Sequence, residues 1–118
     1  RHDYELFISQ AVVREVSRGD ANLAAARLDR LRDFPLLPRT PEASALITHL
    51  LASGIIPAVA EDDAAHIGLA AAHGMDFLLT WNCRHINNHH IRARIEQACA
   101  AFGLVCPDIC TPTELMKL

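Results

Sequence analysis

The chain has 118 residues, of which 51% are apolar, and a formal charge of −3 with histidine neutral. This size and composition fit a single folded domain over residues 1–118 and exclude a disordered segment. The negative charge excludes general electrostatic binding of nucleic acid, so any such contact must come from a local patch. No apolar run reaches the roughly 18 residues that a membrane span requires. The four cysteines form no C-x-x-C pair, and we expect reduced thiols in a cytoplasmic protein.

The first third of the chain predicts short extended segments separated by helices. We expect a strand over 4–8, helices over 9–18 and 20–32, and an extended segment over 34–38. Ser9 and Asp20 are placed to cap the two helices. The last segment lies between prolines, which would confine it to the edge of a sheet.

The middle of the chain predicts two longer helices. Thr40 followed by proline is typical of a helix start, and apolar residues at helical spacing then continue to Gly54. We expect a loop over 55–60. A second helix should run from about Glu61 to His73 and end at the following glycine.

The last third alternates strands with helices. We expect a buried strand over 76–80, a helix from Asn87 or Asn88 to Gly103, a strand over 104–110 broken by Pro107, and a short helix opened by Thr111. Strands alternating with helices predict an α/β fold with a parallel sheet and helices on both faces.

Polar residues occur at three places where such a fold carries its sites, beyond the carboxyl ends of the strands. Glu15 lies among valines in the first helix, where a lone carboxylate is more often solvated than functional. Asp62 and Asp63 lie in a first helical turn, where the helix dipole alone favours acidic residues. Asp63 also lies on the buried edge of the helix with Ile67. Two interpretations of Asp63 are therefore open: binding of a divalent cation, or interaction with the helix dipole alone.

The third place is the loop that directly follows the predicted strand over 76–80. Its polar side chains include Thr80, Asn82, Arg84 and His85. A polar loop leaving a buried strand is a candidate site, although its asparagines would equally serve as turn and helix caps. Zinc binding is disfavoured because the local Cys and His residues lack a second correctly spaced pair.

Taken together, these segments resemble the PIN-domain family, and more narrowly the VapC-like ribonuclease toxins of bacterial toxin–antitoxin pairs. The resemblance lies in Ile8–Glu15, Asp63–Asn87 and Gly103–Leu115. It implies a three-layer fold with a parallel sheet, whose carboxyl edge gathers acidic residues. In that family these residues bind Mg²⁺ or Mn²⁺, which activates water to hydrolyse RNA.

The resemblance also implies roles for individual residues. Glu15, Asp63 and Asn82 match the catalytic positions, and Glu15 and Asp63, with the adjacent Asp62, match the metal ligands. The implied substrate contacts are Thr80, Arg84 and His85, and we also expect Arg92 to help bind RNA. Many members have an acidic residue where this chain has Asn82, and a neutral amide should weaken metal affinity.

The partners implied by the resemblance are an RNA substrate, a small antitoxin protein and a second copy in a homodimer, without a membrane. The family's central first strand, which ends in an acidic residue, has no counterpart before Tyr4. We therefore expect an N-terminally incomplete domain with weak or no activity. The alternative is a PIN-like module that binds RNA or a protein without cleavage, which the neutral Asn82 favours.

Overall fold

The computed structural model describes residues 7–9, 17–18, 20–32, 34–79 and 89–110. The chain divides into two compact units, Arg1–Pro38 and Arg39–Leu118. The described residues form a mixed α/β structure with four α-helices and two pairs of parallel strands. None of these helices is long and apolar enough to cross a membrane. The prediction that the whole chain is one domain and the prediction of a three-layer fold with a parallel sheet both stay predictions.

The described part of the first unit holds one parallel strand pair and one helix. Its elements are β1 (Ile8–Ser9), α1 (Ala21–Leu31) and β2 (Leu36–Leu37). Ile8 lies opposite Leu36 in the parallel register. Asp20 caps α1 as the sequence predicts, because its Oδ1 accepts the backbone N–H groups of Asn22 at 2.9 Å and Leu23 at 3.1 Å.

The cap predicted at Ser9 stays a prediction. Ser9 lies in β1 and pairs with Leu37, and an extended backbone is also the usual conformation of an N-cap residue. The neighbouring Ile8 donates its N–H to the carbonyl oxygen of Pro35 at 2.9 Å, so the pairing keeps this backbone extended. Most of the helix predicted after Ser9 lies outside the described residues, where Glu15 also falls.

In the second unit, the residues that the structure describes form three α-helices and the other strand pair. Its elements are α2 (Pro41–Ala52), a 3₁₀ turn (Ala58–Ala60), α3 (Glu61–Ala72), β3 (Phe77–Leu79), α4 (His89–Ala101) and β4 (Asp108–Cys110). Thr40 caps α2 as predicted, because its hydroxyl accepts the N–H of Ala43 at 3.2 Å. Gly74 follows α3 with a φ of 66°, a backbone conformation that residues other than glycine rarely adopt.

Two predictions in this unit are wrong in part. The segment 55–60, predicted as a loop, contains the 3₁₀ turn. Ile55 and Ile56, which begin this segment, are buried. Their apolar side chains pack into the core, and Ile56 donates its N–H to the carbonyl oxygen of Leu50 at 3.1 Å. The strand β3 is less buried than predicted, because Leu79 is 37% exposed where the strand leaves the core.

The strands β3 and β4 are parallel and run in register from Phe77 opposite Asp108 to Leu79 opposite Cys110. The pairing begins one step earlier, where Asp108 donates its N–H to the carbonyl oxygen of Asp76 at 2.9 Å. β4 starts directly after Pro107, which lacks an N–H and shortens the strand predicted over 104–110.

The core of the second unit lies mainly between α2 and α3, which contact each other along their length. The largest fully buried side chains are Leu46, Leu50, Ile56, Ile67, Ile95 and Cys99. The last two come from α4, so that helix also contributes to this core. Full burial of a leucine or isoleucine stabilises the fold by about 1.5–3 kcal/mol.

The helices α2 and α3 approach each other closely at Gly68. A Cβ atom placed there would overlap Ile47 Cγ1 and would lie 3.2 Å from the carbonyl oxygen of Ala43. Ile47 and Ala43 are themselves buried, so neither can move into solvent. The absence of a side chain at residue 68 therefore sets the separation of the two helices.

We expect Gly68→Ala to lower the free energy of unfolding. Alanine is favoured over glycine within a helix by about 1 kcal/mol, but overpacking of a dense core costs about 1–3 kcal/mol. Urea denaturation should show a net loss of stability. In an Ile47→Ala background, which removes the overlapping atoms, the same change should be neutral or stabilising. If the stability losses of the two single variants simply add in the double variant, the proposed overlap between residue 68 and Ile47 is contradicted.

The Thr40 cap offers a separate test in the same unit. Thr40→Ala should cost about 1 kcal/mol of unfolding free energy, because the N–H of Ala43 loses its acceptor. Thr40→Ser keeps the hydroxyl and serves as the control, with stability close to that of the parent. Equal losses in both variants would mean that packing of the threonine methyl group, and not the cap, is responsible.

Candidate functional site

The first turn of α3 carries three consecutive acidic residues. Glu61 is exposed, whereas Asp62 and Asp63 are half-buried. The N-cap residue, Ala60, provides no side-chain hydrogen bond. The three carboxylates therefore supply the negative charge that interacts favourably with the positive end of the helix dipole.

Asp63 lies at the edge of the buried face of α3. It precedes Ile67, which is fully buried, by one helical turn. This is the position that the helical spacing predicts. A carboxylate at such an edge loses part of its hydration and benefits from a hydrogen bond or a cation.

The short connection between α3 and β3 fixes the end of the unit at which these acidic residues lie. Only residues 73–76 join the two elements, which contact each other. Met75 donates its N–H back to the carbonyl oxygen of Ala70 at 2.9 Å, which closes the C-terminal end of α3. In parallel α/β structures a short connection of this kind turns the strand back along the helix. We therefore expect the first turn of α3, the carboxyl end of β3 and the candidate loop that begins at Thr80 to lie towards the same end of the unit.

The other predicted site residues lie outside the described residues. These are Glu15, Thr80, Asn82, Arg84 and His85. The convergence of Glu15, Asp63 and Asn82 on one cleft therefore stays a prediction.

Two carboxylates in one turn partly fit the oxygen chemistry that Mg²⁺ and Mn²⁺ prefer. Magnesium is commonly held by one or two carboxylates together with water and phosphate oxygens. Among the residues that the structure describes, no group of three or more His, Cys, Asp or Glu side chains could hold a metal ion. If Asp62 and Asp63 bind a cation, further protein ligands must come from the remaining residues.

Arg92 of α4 has a structural contact that the sequence did not reveal. Its Nη2 donates to the carbonyl oxygen of Ile109 in β4 at 2.7 Å. Its Nε is buried and forms no hydrogen bond within the described part of the chain. The side chain lines a small pocket together with Glu96, Cys106 and Asp108. The expected role of Arg92 in RNA binding stays a prediction, and the geometry shows a link between α4 and β4.

Two thiols near this pocket differ in their acidity. A hydrogen bond with Cys106 lowers the pKa of the Cys99 thiol. The same bond, followed by burial, raises the pKa of Cys106. Cys106 Sγ also lies 3.4 Å from the carbonyl oxygen of Pro107. Cys106 comes seven positions after Cys99, beyond the turn that follows α4, so cysteine spacing alone did not indicate this relation.

The chain matches no protein-family model, no curated protein and no solved structure. The likeness to PIN domains therefore rests on the sequence segments that carry it.

We expect Arg92→Met to destabilise the second unit by about 1.5–3 kcal/mol, because the carbonyl of Ile109 loses a charged donor. Arg94→Met is the matched control, since Arg94 lies on the same helix and is exposed. Thermal unfolding should show a lower Tm for the first variant and little change for the second. Equal stability of the two variants would mean that the Arg92 contact contributes nothing.

Proposed function

We propose that the chain is a divalent-metal-dependent endoribonuclease of the PIN type, similar to VapC-like toxins, in which Asp63 is a metal ligand. The observation that supports this most directly is the position of Asp63. It is half-buried in the first turn of α3, and the short connection from α3 to β3 leads us to expect this turn towards the carboxyl end of β3. In parallel α/β structures, ligands bind beyond that end of the strands.

The helix dipole acts on the whole acidic turn, in which Glu61 is exposed and Asp63 is half-buried. Asp63 already has an interaction within the chain. A half-buried carboxylate at the start of a helix can in addition serve as a ligand of a divalent cation. The position of Asp63 beside Ile67 is therefore more informative than the number of acidic residues in the turn.

The remaining residues have the roles that the resemblance implies. Glu15 supplies a second carboxylate to the metal site, and Asn82 supplies a neutral oxygen. Asp62 is an adjacent carboxylate that could take part. Mg²⁺ or Mn²⁺ would lower the pKa of a bound water and offset charge on the phosphate.

RNA contacts in this proposal come from one local patch. Arg84 binds the phosphate, where a guanidinium forms paired, charge-assisted hydrogen bonds. Thr80 and His85 add contacts from the same loop. Because the protein carries a net charge of −3, RNA affinity should depend on a few cations and fall with rising salt. A small antitoxin partner, a homodimer and a cytoplasmic location complete the proposal.

A second candidate function is binding of RNA or a protein without cleavage. Asn82 favours it, because an amide contributes no charge at a position where many PIN domains have a carboxylate. The distinction depends on whether Glu15 and Asp63 hold enough charge to retain a catalytic metal.

We expect Asp63→Asn to reduce Mn²⁺-dependent RNA cleavage by at least about 10–100-fold, the range for mutating residues that merely support metal ligands. Glu61→Gln is the matched control, because it removes a carboxylate from the same helical turn at an exposed position. The protein expressed from its complete gene should be assayed with Mn²⁺, with and without chelator.

Three outcomes separate the candidates. Cleavage that is lost in Asp63→Asn and retained in Glu61→Gln supports the metal site. RNA binding by the parent without cleavage at any Mn²⁺ concentration supports the binding module. Cleavage that is equal in both variants excludes Asp63 as a ligand, and circular dichroism would confirm that both variants remain folded.

A further inference from the structure

The strand β4 has one edge that pairs with β3 and one outer edge. Among the residues that the structure describes, β3 is the only strand paired with β4. Asp108 donates its N–H to the carbonyl oxygen of Asp76, so the backbone polar groups of Asp108 face β3. Successive residues of a strand direct these groups to opposite sides, which turns the N–H and C=O of Ile109 towards the outer edge. Such an edge is a template on which another strand can pair.

A charged side chain occupies the hydrogen-bond acceptor on this outer edge. Nη2 of Arg92, in α4, donates to the carbonyl oxygen of Ile109 at 2.7 Å. The length is typical of a charge-assisted hydrogen bond. Arg92 is half-buried and its Nε is shielded from solvent, so the guanidinium lies against the protein and does not extend into water. Another strand can therefore reach the Ile109 carbonyl only after Arg92 has moved away.

The residue that precedes β4 reduces the pairing capacity of the same edge. Pro107 is two positions before Ile109, and the alternation of an extended chain gives it the same outward direction. Proline has no N–H to donate to a neighbouring strand. The carbonyl oxygen of Pro107 accepts the Cys106 thiol at 3.4 Å. Of the donors and acceptors that Pro107 and Ile109 could offer a strand, the N–H of Ile109 is the one that these features leave.

Apolar surface adjoins this edge. Val105, shortly before β4, is 81% exposed, and Phe102, after the end of α4, is 38% exposed. Exposed apolar residues beside an open strand edge favour pairing between copies of the same chain. A covered edge prevents such pairing, and a charged side chain is one of the usual means of covering it.

We propose that Arg92 keeps the outer edge of β4 closed to a second copy of this chain. A second copy fits this edge, because two identical edges related by a two-fold axis pair as antiparallel strands. In a pair centred on Ile109, the N–H of each copy would donate to the carbonyl oxygen of the other. Arg92 already occupies that oxygen. The two guanidinium groups would also approach each other across the axis, and their like charges would repel.

Sedimentation velocity of the full chain over a concentration series tests the proposal. At rising concentration, the average mass of Arg92→Met should exceed that of the parent, approaching about twice its value if the pair closes on a two-fold axis. Arg92→Lys keeps a charged donor and should match the parent. Arg94→Met removes an exposed arginine from the same helix and should also match it. A homodimer that forms through another surface does not affect this comparison, because every variant is measured against the parent.

Hydrogen exchange distinguishes edge pairing from aggregation of unfolded chains. The amides of Asp108 and Ile109 are adjacent in sequence but face opposite sides of β4. In Arg92→Met, the Ile109 amide should exchange at least about ten-fold more slowly in the associated sample than in the dilute one, because pairing gives it an acceptor. The Asp108 amide, bonded to Asp76 in the folded chain, should stay protected in both samples.

Three results would overturn the proposal. The first is a folded Arg92→Met whose mass equals that of the parent at every concentration. The second is equal association of Arg94→Met. The third is association of Arg92→Met with lost protection at Asp108, or with no added protection at Ile109. None of these measurements depends on RNA cleavage, so the result is separate from the proposed nuclease activity.

Discussion

The close approach of α2 and α3 at Gly68 is the constraint on which the second unit depends. A side chain at that position would separate the helices, and each fully buried leucine and isoleucine between them would lose contact with its neighbours. The small residues Ala64 and Ala71 of α3, one helical turn before and after Gly68, are also buried. With few aromatic side chains in the chain, dense packing of small and aliphatic residues is the main source of stability in this unit.

Helix packing also determines where polar chemistry can lie. Once α3 is fixed against α2, the short connection over residues 73–76 directs β3 back along α3. We therefore expect the acidic first turn of α3 to lie towards the carboxyl end of β3. The location of Asp63 is therefore a consequence of connection length and core packing, and the residue needs no special backbone conformation to reach that end.

The sequence predicts helices better than strands, for an identifiable physical reason. Capping residues such as Asp20 and Thr40 act through hydrogen bonds to nearby backbone groups, so a short sequence window contains the information. The extent of a strand depends on pairing with distant residues, and Ser9 is drawn into β1 by β2, 28 positions further on. Partial exposure of Leu79 likewise depends on tertiary packing.

The same distinction applies to the candidate sites. The half-burial of Asp63 follows from helical spacing to Ile67, and the sequence predicts it. The bond between Arg92 and Ile109 spans 17 residues, and the relation between the thiols of Cys99 and Cys106 lies across the turn at Gly103. Neither of these contacts between distant residues produces a periodic pattern in the sequence. Glu15, Asn82 and the loop from Thr80 lie outside the described residues, so the full ligand set is still known only as a prediction.

The parallel register of β3 and β4 joins α4 to the strand that leads into the candidate loop. β4 is aligned with β3 from Phe77 opposite Asp108 to Leu79 opposite Cys110. Arg92 of α4 donates to the carbonyl oxygen of Ile109 in β4. Loss of that contact should therefore change stability directly, and it should change metal affinity only as far as α4 and β4 help to position the metal ligands.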